Sequence, residues 1–112
     1  MSERKYYKAI NFDLDTHVLN DVHPSGYYQN AYYDLKRFFK KKGFDHRQGS
    51  GYVSKEKLTS TDIFELLDDL YHALPWISEA VKAFDVTNVG NQYDLAEDIR
   101  AFAAVDIDIK PE

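Results

Sequence analysis

Two carboxylates stand at the end of the first apolar segment of the chain. In the stretch AINFDLD, Ile10, Phe12 and Leu14 alternate with small or polar residues, which is the period-two pattern of a half-buried strand. This pattern predicts that Asp13 projects from the second face of the strand. There it either ends the strand by bonding nearby backbone, or it binds a hard cation or acts as a general base. Asp15 points the same way if the strand continues.

A carboxylate on this face could meet its own copy across a twofold axis. Two facing carboxylates repel each other, which favours a shared proton or a bound divalent ion. Oxygen ligands suit Mg²⁺ or Mn²⁺, and a bound ion could activate water for phosphodiester cleavage. We therefore take Asp13 of both subunits as the candidate metal ligand, with Asp15 as a second candidate, and we expect no organic cofactor.

The segment HRQGSGY contains a second group of candidate residues. Gln48 and Ser50, with the backbone N–H groups of the two adjacent glycines, could hold a phosphate, and Arg47 could add positive charge. His46 is a candidate general acid because the free pKa of histidine is near neutrality. The alternative is a bulged strand whose polar residues only face solvent.

Basic residues are concentrated in one part of the chain. The formal net charge of −5 argues against nucleic-acid binding driven by total charge, but a local basic surface is possible. Such a cluster is most often a solvated helix face; here it could follow an RNA backbone, with Lys36, Lys40, Lys41 and Arg47 as the contacts. Tyrosines on the same predicted helix favour single-stranded RNA. Six of the fourteen basic residues lie within twelve positions, namely Lys36, Arg37, Lys40, Lys41, Lys42 and Arg47.

Length and composition limit the class of protein. A chain of 112 residues is expected to form one domain. The chain has no cysteine, which excludes disulfides and thiolate zinc sites. No apolar run reaches the length of a membrane span, and the N-terminal MSERKYY lacks the apolar region of a signal peptide. We therefore expect a cytoplasmic protein.

The predicted elements follow the order β-α-β-β-α-β. The segment between Asp15 and Tyr28 is predicted to be a long polar connection, and Ser25 is a candidate cap for the helix that follows. The order predicts a ferredoxin-like α+β fold with both helices on one sheet face. The other face, with Asn11 and Asp13, is then available for a twofold dimer. The predicted ranges are a strand at 6–14, a helix at 27–42 ended by Gly43, two short strands within 44–56, a helix from Thr59 or Ser60 to Pro75, a short turn around Trp76, and a strand at 82–89.

The end of the chain shows two patterns. Leu95, Ile99 and Phe102 have helical spacing, and the following VDIDIKP alternates like a strand. We therefore predict a ferredoxin-like domain at 1–100 and a C-terminal tail at 101–112, which could add an edge strand to its own sheet or to that of a partner.

Four stretches together resemble the virulence-associated protein D (VapD) family. They are AINFDLD, AYYDLKRFFKKKGF, QGSGYVSKE and PWISEAVKAFDV, and the resemblance runs from about Lys8 to Arg100. It implies a small cytoplasmic bacterial protein with a ferredoxin-like fold, homodimeric and similar to the small endonuclease-like subunit of CRISPR adaptation systems. Some members behave as endoribonucleases and as the toxin of a toxin–antitoxin pair, which implies an RNA substrate and a small antitoxin protein as partners.

The resemblance also implies site residues. In the family, an Asp at the end of the first strand is tied to cleavage, and it matches Asp13. The family's Gln-Gly-Ser motif matches Gln48 to Ser50, with the Ser near the dimer cleft, whereas relatives differ at Asp15, His46 and Arg47. The leading hypothesis is therefore a dimeric endoribonuclease acting on single-stranded or messenger RNA through Asp13, Gln48 and Ser50. The alternative is a non-catalytic dimeric module that binds protein or nucleic acid.

Overall fold

The computed structural model describes residues 3–90 and 98–102, and these form one antiparallel sheet with helices. The strand order is β2-β3-β1-β4, so the first strand is central. This order and the β-α-β-β-α-β sequence of main elements confirm the ferredoxin-like α+β prediction. The elements are β1 (Tyr7–Leu14), α1 (Thr16–Val22), α2 (Tyr28–Lys41), β2 (Phe44–His46), β3 (Gly51–Ser54), α3 (Ser60–Ala73), α4 (Ile77–Ala80) and β4 (Val81–Val89).

The core lies between the sheet and α2 and α3. Ile10, Phe12 and Leu14 of β1 are buried on the helix-covered face, as their alternation predicts. Aromatic rings fill the space under α2: the rings of Phe39 and Tyr52 stack with centroids 4.4 Å apart, and Phe12 stacks on Tyr52 at 6.0 Å. The buried residues that the helices contribute are Ala31, Leu35, Phe38 and Phe39 from α2 and Ile63, Leu66 and Leu70 from α3.

The strand register brings the β2–β3 turn to the end of the sheet where Asp13 lies. Asn11 of β1 is opposite Gly51 at the start of β3, so residues 47–50 extend past this pair, toward the level of Asp13. On its other side Asn11 is opposite Asp85, and Asp13 is opposite Ala83. Because directly opposite residues share a face, Asn11, Asp13 and Asp85 all lie on the face not covered by α2 and α3, hereafter the open face.

Thr59, one of the two residues predicted to start α3, is its N-cap, whereas the predicted Ser25 cap of α2 was wrong. The Thr59 hydroxyl accepts from the Asp62 N–H at 3.0 Å, and the Asp62 carboxylate accepts from the Thr59 N–H at 2.9 Å, which is a capping box. At α2 the N-cap is Tyr27, without a side-chain cap. The N–H of Tyr28 instead donates to the Asn20 side chain at 2.8 Å.

The predicted polar connection after Asp15 was also wrong, because it contains α1. Asp15 is the N-cap, and Leu19 is fully buried against the core. Seven residues are too few for a stable isolated helix, and α1 is stabilised by packing on α2 and α4. This packing cannot be detected from periodicity in so short a segment.

The end of the chain is described only in part. Residues 98–102 are helical and exposed, in line with part of the predicted C-terminal helix. Leu95 and VDIDIKP lie outside the described residues, and the 1–100 and 101–112 boundary stays a prediction. In the ranges 3–90 and 98–102, no helix has the length and apolar character needed to cross a membrane.

Candidate active site

Asp13 presents an exposed carboxylate at the end of β1. Its side chain is 67% exposed, and its Oδ2 atom lies 4.0 Å from the Nζ atom of Lys82, which is also exposed. The β1–β4 register shifts immediately after Asp13, because Asp13 pairs with Ala83 and Leu14 with Val81. Lys82 is therefore the extra residue of a β-bulge, a feature that commonly re-aims side chains beside active sites.

Asp15 performs the backbone-bonding role that was one alternative for Asp13. Its Oδ1 atom accepts from the N–H groups of Val18 at 3.1 Å and His17 at 2.9 Å. These hydrogen bonds, the Val18 bond most strongly, lower the pKa of Asp15. The carboxylate is directed to the start of α1, so the structure gives Asp15 a structural role; its proposed metal binding stays a prediction.

The β2–β3 turn is closed by two backbone hydrogen bonds. The Arg47 N–H donates to the Gly51 carbonyl at 2.7 Å, and the Gly51 N–H donates to the Gln48 carbonyl at 3.1 Å. Gly49 has a φ of +61°, which a residue with a Cβ rarely adopts. A Cβ on Gly51 would lie 3.1 Å from Asn11 Oδ1, so glycine allows the turn to approach β1. The predicted use of the Gly51 N–H as a phosphate donor was wrong, because this N–H is bonded within the turn.

A groove lies between this turn and α2, and we name it the tyrosine groove. Its helical wall is Gln29, Tyr32, Tyr33 and Lys36, spaced i, i+3, i+4, i+7 and hence on one helix face. Its volume is about 460 Å³. Among the predicted site residues, it brings Lys36, His46 and Ser50 together. The lining residues are Gln29, Tyr32, Tyr33, Lys36, His46, Gly49, Ser50 and Tyr52.

Tyr32 connects this groove to Asp13. Partial burial raises the pKa of Tyr32, and the negative charge of Asp13 raises it further, so the two side chains are close enough to interact electrostatically. Burial alone raises the pKa of Tyr52 to about 12. Both hydroxyls are protonated at neutral pH, as ordinary tyrosines are, and can donate hydrogen bonds. Tyr32 was not predicted as a site residue, because its spacing in the sequence also fits the buried stripe of α2.

The predicted basic contacts do not all lie on the same side of α2. Lys36 lines the tyrosine groove, whereas Lys40 and Lys41 line a second groove of about 760 Å³ between α2 and the end of α3. Arg47 and Gln48 are exposed on the β2–β3 turn. Lys36 therefore lines the same groove as Tyr32 and Ser50, and Lys40 and Lys41 face another surface.

Asp13 is a single exposed carboxylate, which could bind a metal ion only together with other ligands, such as a substrate phosphate and water. Across residues 3–90 and 98–102, no three or more His, Cys, Asp or Glu side chains converge into a metal-binding group. Mg²⁺, however, is commonly held by one or two carboxylates together with substrate phosphates and water. The exposed Asp13 carboxylate can provide one such ligand.

Fold and site together define a small ferredoxin-like α+β protein with an acidic residue at the exposed end of its central strand. The chain is 31% identical over 87 residues to Endoribonuclease VapD 2 of Riemerella anatipestifer, an alignment that covers 78% of this chain and 93% of that relative. It is 27% identical over 92 residues to the Endoribonuclease VapD homolog of Helicobacter pylori (strain ATCC 700392 / 26695), covering 82% and 95%. No protein-family model matches the chain. The chain belongs to the VapD family.

Proposed function

We propose that this chain is an endoribonuclease that cleaves single-stranded or messenger RNA, with Asp13 as its central catalytic residue. The observation that supports this most is the exposed Asp13 carboxylate, at the same end of the sheet as the β2–β3 turn and electrostatically coupled to Tyr32. Two VapD relatives carry the name endoribonuclease, which supports RNA as the substrate.

Each nearby group has a distinct role in the proposed reaction. Asp13 accepts a proton from the attacking water as the water oxygen bonds to phosphorus. The Ser50 hydroxyl and the exposed Gln48 amide donate hydrogen bonds to the scissile phosphate, while Lys36 and Arg47 offset its charge. A bound Mg²⁺ or Mn²⁺ held by Asp13 would add Lewis-acid stabilisation of that phosphate. His46 lines the tyrosine groove beside Ser50 and is the proposed general acid. Because its Nε2–H is bonded to the Gly49 carbonyl, its Nδ1 would protonate the leaving oxygen as the bond from phosphorus to that oxygen breaks.

We further propose that the enzyme is a homodimer formed through the open face. Half-buried Tyr7, Ala9, Val53 and Val89 lie on this face, toward the end away from Asp13. Pairing these residues with those of a second copy would cover apolar surface that one chain leaves partly exposed. The two Asp13 side chains would then lie at the rim of the interface, as a carboxylate pair.

The test is cleavage of a labelled single-stranded RNA by the wild type and by Asp13→Asn, which retains the shape of the side chain. We expect cleavage to fall at least about a hundredfold, since loss of a general base typically costs that much. The matched control is Asp45→Asn, an exposed aspartate on β2 that shares the open face. Reactions with Mg²⁺, with Mn²⁺ or with a chelator show whether cleavage requires a divalent ion.

Two outcomes would reject this assignment. Equal cleavage by the wild type and Asp13→Asn would move the activity elsewhere. Binding without cleavage by the folded wild type would favour a nucleic-acid-binding module instead.

The proposed cellular role is that of a toxin neutralised by a small antitoxin protein. This role is supported by the family resemblance and by the proposed cleavage of messenger RNA. Induced expression of the wild type is expected to arrest bacterial growth, whereas Asp13→Asn at the same protein level is not. Equal arrest by both would contradict a toxicity that depends on RNA cleavage.

A further inference from the structure

We propose that the tyrosine groove binds one unpaired nucleobase of the RNA strand, stacked on the ring of Tyr33. The proposal rests on the proposed ribonuclease function and adds the part of the substrate that the enzyme recognises. It assigns a binding role to Tyr33 and Gln29, which the proposed cleavage chemistry does not use.

Tyr33 is presented as a stacking platform. It is 61% exposed although its side chain is large and aromatic. The guanidinium of Arg37 lies 5.0 Å from its ring centroid, a cation–π contact that steadies the ring. An exposed, supported ring beside positive charge is the usual platform for a base in single-stranded RNA binding.

The opposite wall of the groove is fixed rather than flexible. His46 Nε2 donates to the Gly49 carbonyl at 2.7 Å, which sets the orientation of the imidazole. The His46 ring lies 4.9 Å from Tyr52, which forms the floor and is 4% exposed. A base entering the groove would therefore meet aromatic surface on Tyr33 and on His46.

The size and polarity of the groove suit one nucleotide. Its volume of about 460 Å³ lies in the range of small-ligand pockets. Gln29 provides an amide that can pair with the edge of a base, and Lys36 provides a cation for the adjoining phosphate. A base stacked in a duplex cannot enter a groove with two walls, so the nucleotide must be unpaired.

The position of the groove relates this base to the bond that is cut. Ser50 and Tyr32 line the groove, and the β2–β3 turn that carries Ser50 extends toward the level of Asp13 on β1. The bound base therefore belongs to a nucleotide next to the scissile phosphate. The second groove, with Lys40 and Lys41, contains Phe38 as its aromatic residue, but Phe38 is 9% exposed and offers no free ring face.

The experiment measures equilibrium binding of a short fluorescein-labelled RNA strand by anisotropy. All proteins carry Asp13→Asn, and the strand is checked on a gel after each titration. Tyr33→Leu is expected to weaken binding at least about fivefold, because stacking of one base is worth about 1–3 kcal/mol. Tyr33→Phe, which keeps the ring, is expected to bind within about twofold of the parent. The matched control is Tyr71→Leu, since Tyr71 is an exposed tyrosine of α3.

A set of strands with a single abasic nucleotide at successive positions locates the base. With the parent protein, one position should lose affinity about as much as Tyr33→Leu does. With Tyr33→Leu, the same position should show no further loss. A fully paired duplex of the same sequence should bind more weakly than the single strand.

Three results would overturn the base-binding groove: equal affinity of Tyr33→Leu and Tyr71→Leu, equal affinity for duplex and single strand, or an abasic profile that Tyr33→Leu does not alter. These outcomes are independent of catalysis. If Asp13→Asn still cuts RNA while Tyr33→Leu loses binding, the groove stands and the catalytic assignment fails. If Asp13→Asn is inactive while Tyr33→Leu binds normally, the catalytic assignment stands and the base-binding groove fails.

Discussion

The carboxylate of Asp15 accepts a hydrogen bond from the backbone N–H of Val18 at 3.1 Å, which holds it at the start of α1. Asp13, two residues earlier, has a 67% exposed side chain near Lys82. The two aspartates of the FDLD stretch therefore have separate tasks, one structural and one available for chemistry. Substitutions of the two residues are therefore expected to differ in their effect on stability.

Asp15→Ala is expected to lower the melting temperature, whereas Asp13→Ala is expected to leave it nearly unchanged. The first substitution removes the N-cap of α1 and leaves two backbone N–H groups without their acceptor. Thermal unfolding followed by circular dichroism measures both. An equal decrease for Asp13→Ala would indicate that Asp13 is structural, and would weaken its assignment to catalysis.

Stability is expected to fall in acid partly through Asp34. Partial burial would raise the pKa of this carboxyl, but hydrogen bonds from His23 and Arg37 outweigh it and hold the pKa below its usual value. A depressed folded pKa contributes stability that is complete above the unfolded pKa of about 4 and is lost as the pH falls through the folded pKa.

Urea unfolding of the wild type and Asp34→Asn between about pH 6 and about pH 2 measures this contribution. Asp34→Asn should be less stable near neutrality and should show a shallower decline in acid. Some decline should remain, because Asp15 and Asp62 also have lowered pKa values. If the free energy of unfolding has the same pH dependence in both proteins, Asp34 does not contribute to the loss of stability in acid.

Tyr32→Phe is expected to reduce RNA cleavage about tenfold or more, because a hydrogen bond to a charged group contributes about 1.5–3 kcal/mol. Tyr32 lines the tyrosine groove, and its hydroxyl, protonated at neutral pH as in any tyrosine, can donate to a phosphate near Asp13. The control is Tyr28→Phe, since Tyr28 packs edge-on against Tyr32 but does not line the groove. The initial rates of RNA cleavage by the two variants are compared. An equal decrease for both would indicate that the loss comes from disturbed packing of α2 and not from the Tyr32 hydroxyl.

Lys36 and Lys41 are expected to differ in RNA binding although they belong to the same basic cluster. Lys36 lines the tyrosine groove, and Lys41 lines the groove between α2 and α3. Lys36→Gln should weaken binding and reduce the slope of log affinity against log salt by about one, which is the loss of one phosphate contact. Lys41→Gln should change neither. The opposite ranking would place the RNA on the other side of α2.

Val53→Glu is expected to convert the proposed dimer to a monomer. Val53 is half-buried on the open face, opposite Ala9, so a charge there would be buried without a partner in a sheet-on-sheet interface. Light scattering after size-exclusion chromatography measures the mass. The comparison is Phe64→Glu, because Phe64 is 71% exposed on α3. Dissociation by Phe64→Glu alone would assign the interface to α3.

Predictions from short stretches of sequence were correct where a single residue or a single hydrophobic periodicity determines the local structure. The alternation around Phe12 predicted β1, Thr59 predicted the cap of α3, and Gly43, with a φ of +85°, ends α2 as expected. The same reasoning failed for residues 16–27, because α1 depends on Leu19 entering the core.

By itself, the sequence determined the order of the strands and the two main helices, the face on which Asp13 lies, and the resemblance to VapD proteins. These properties depend on residues that are neighbours along the chain, so the periodicity of apolar residues and the capping residues are enough to predict them. Only the tertiary structure decided that Tyr32 and Ser50 share a groove, that Asp13 acts on Tyr32, and that Lys41 faces elsewhere. Those relationships depend on the register of β1 with β3 and on the rotation of α2 about its axis. Both are set by packing between residues distant in the chain, such as Phe39 on Tyr52.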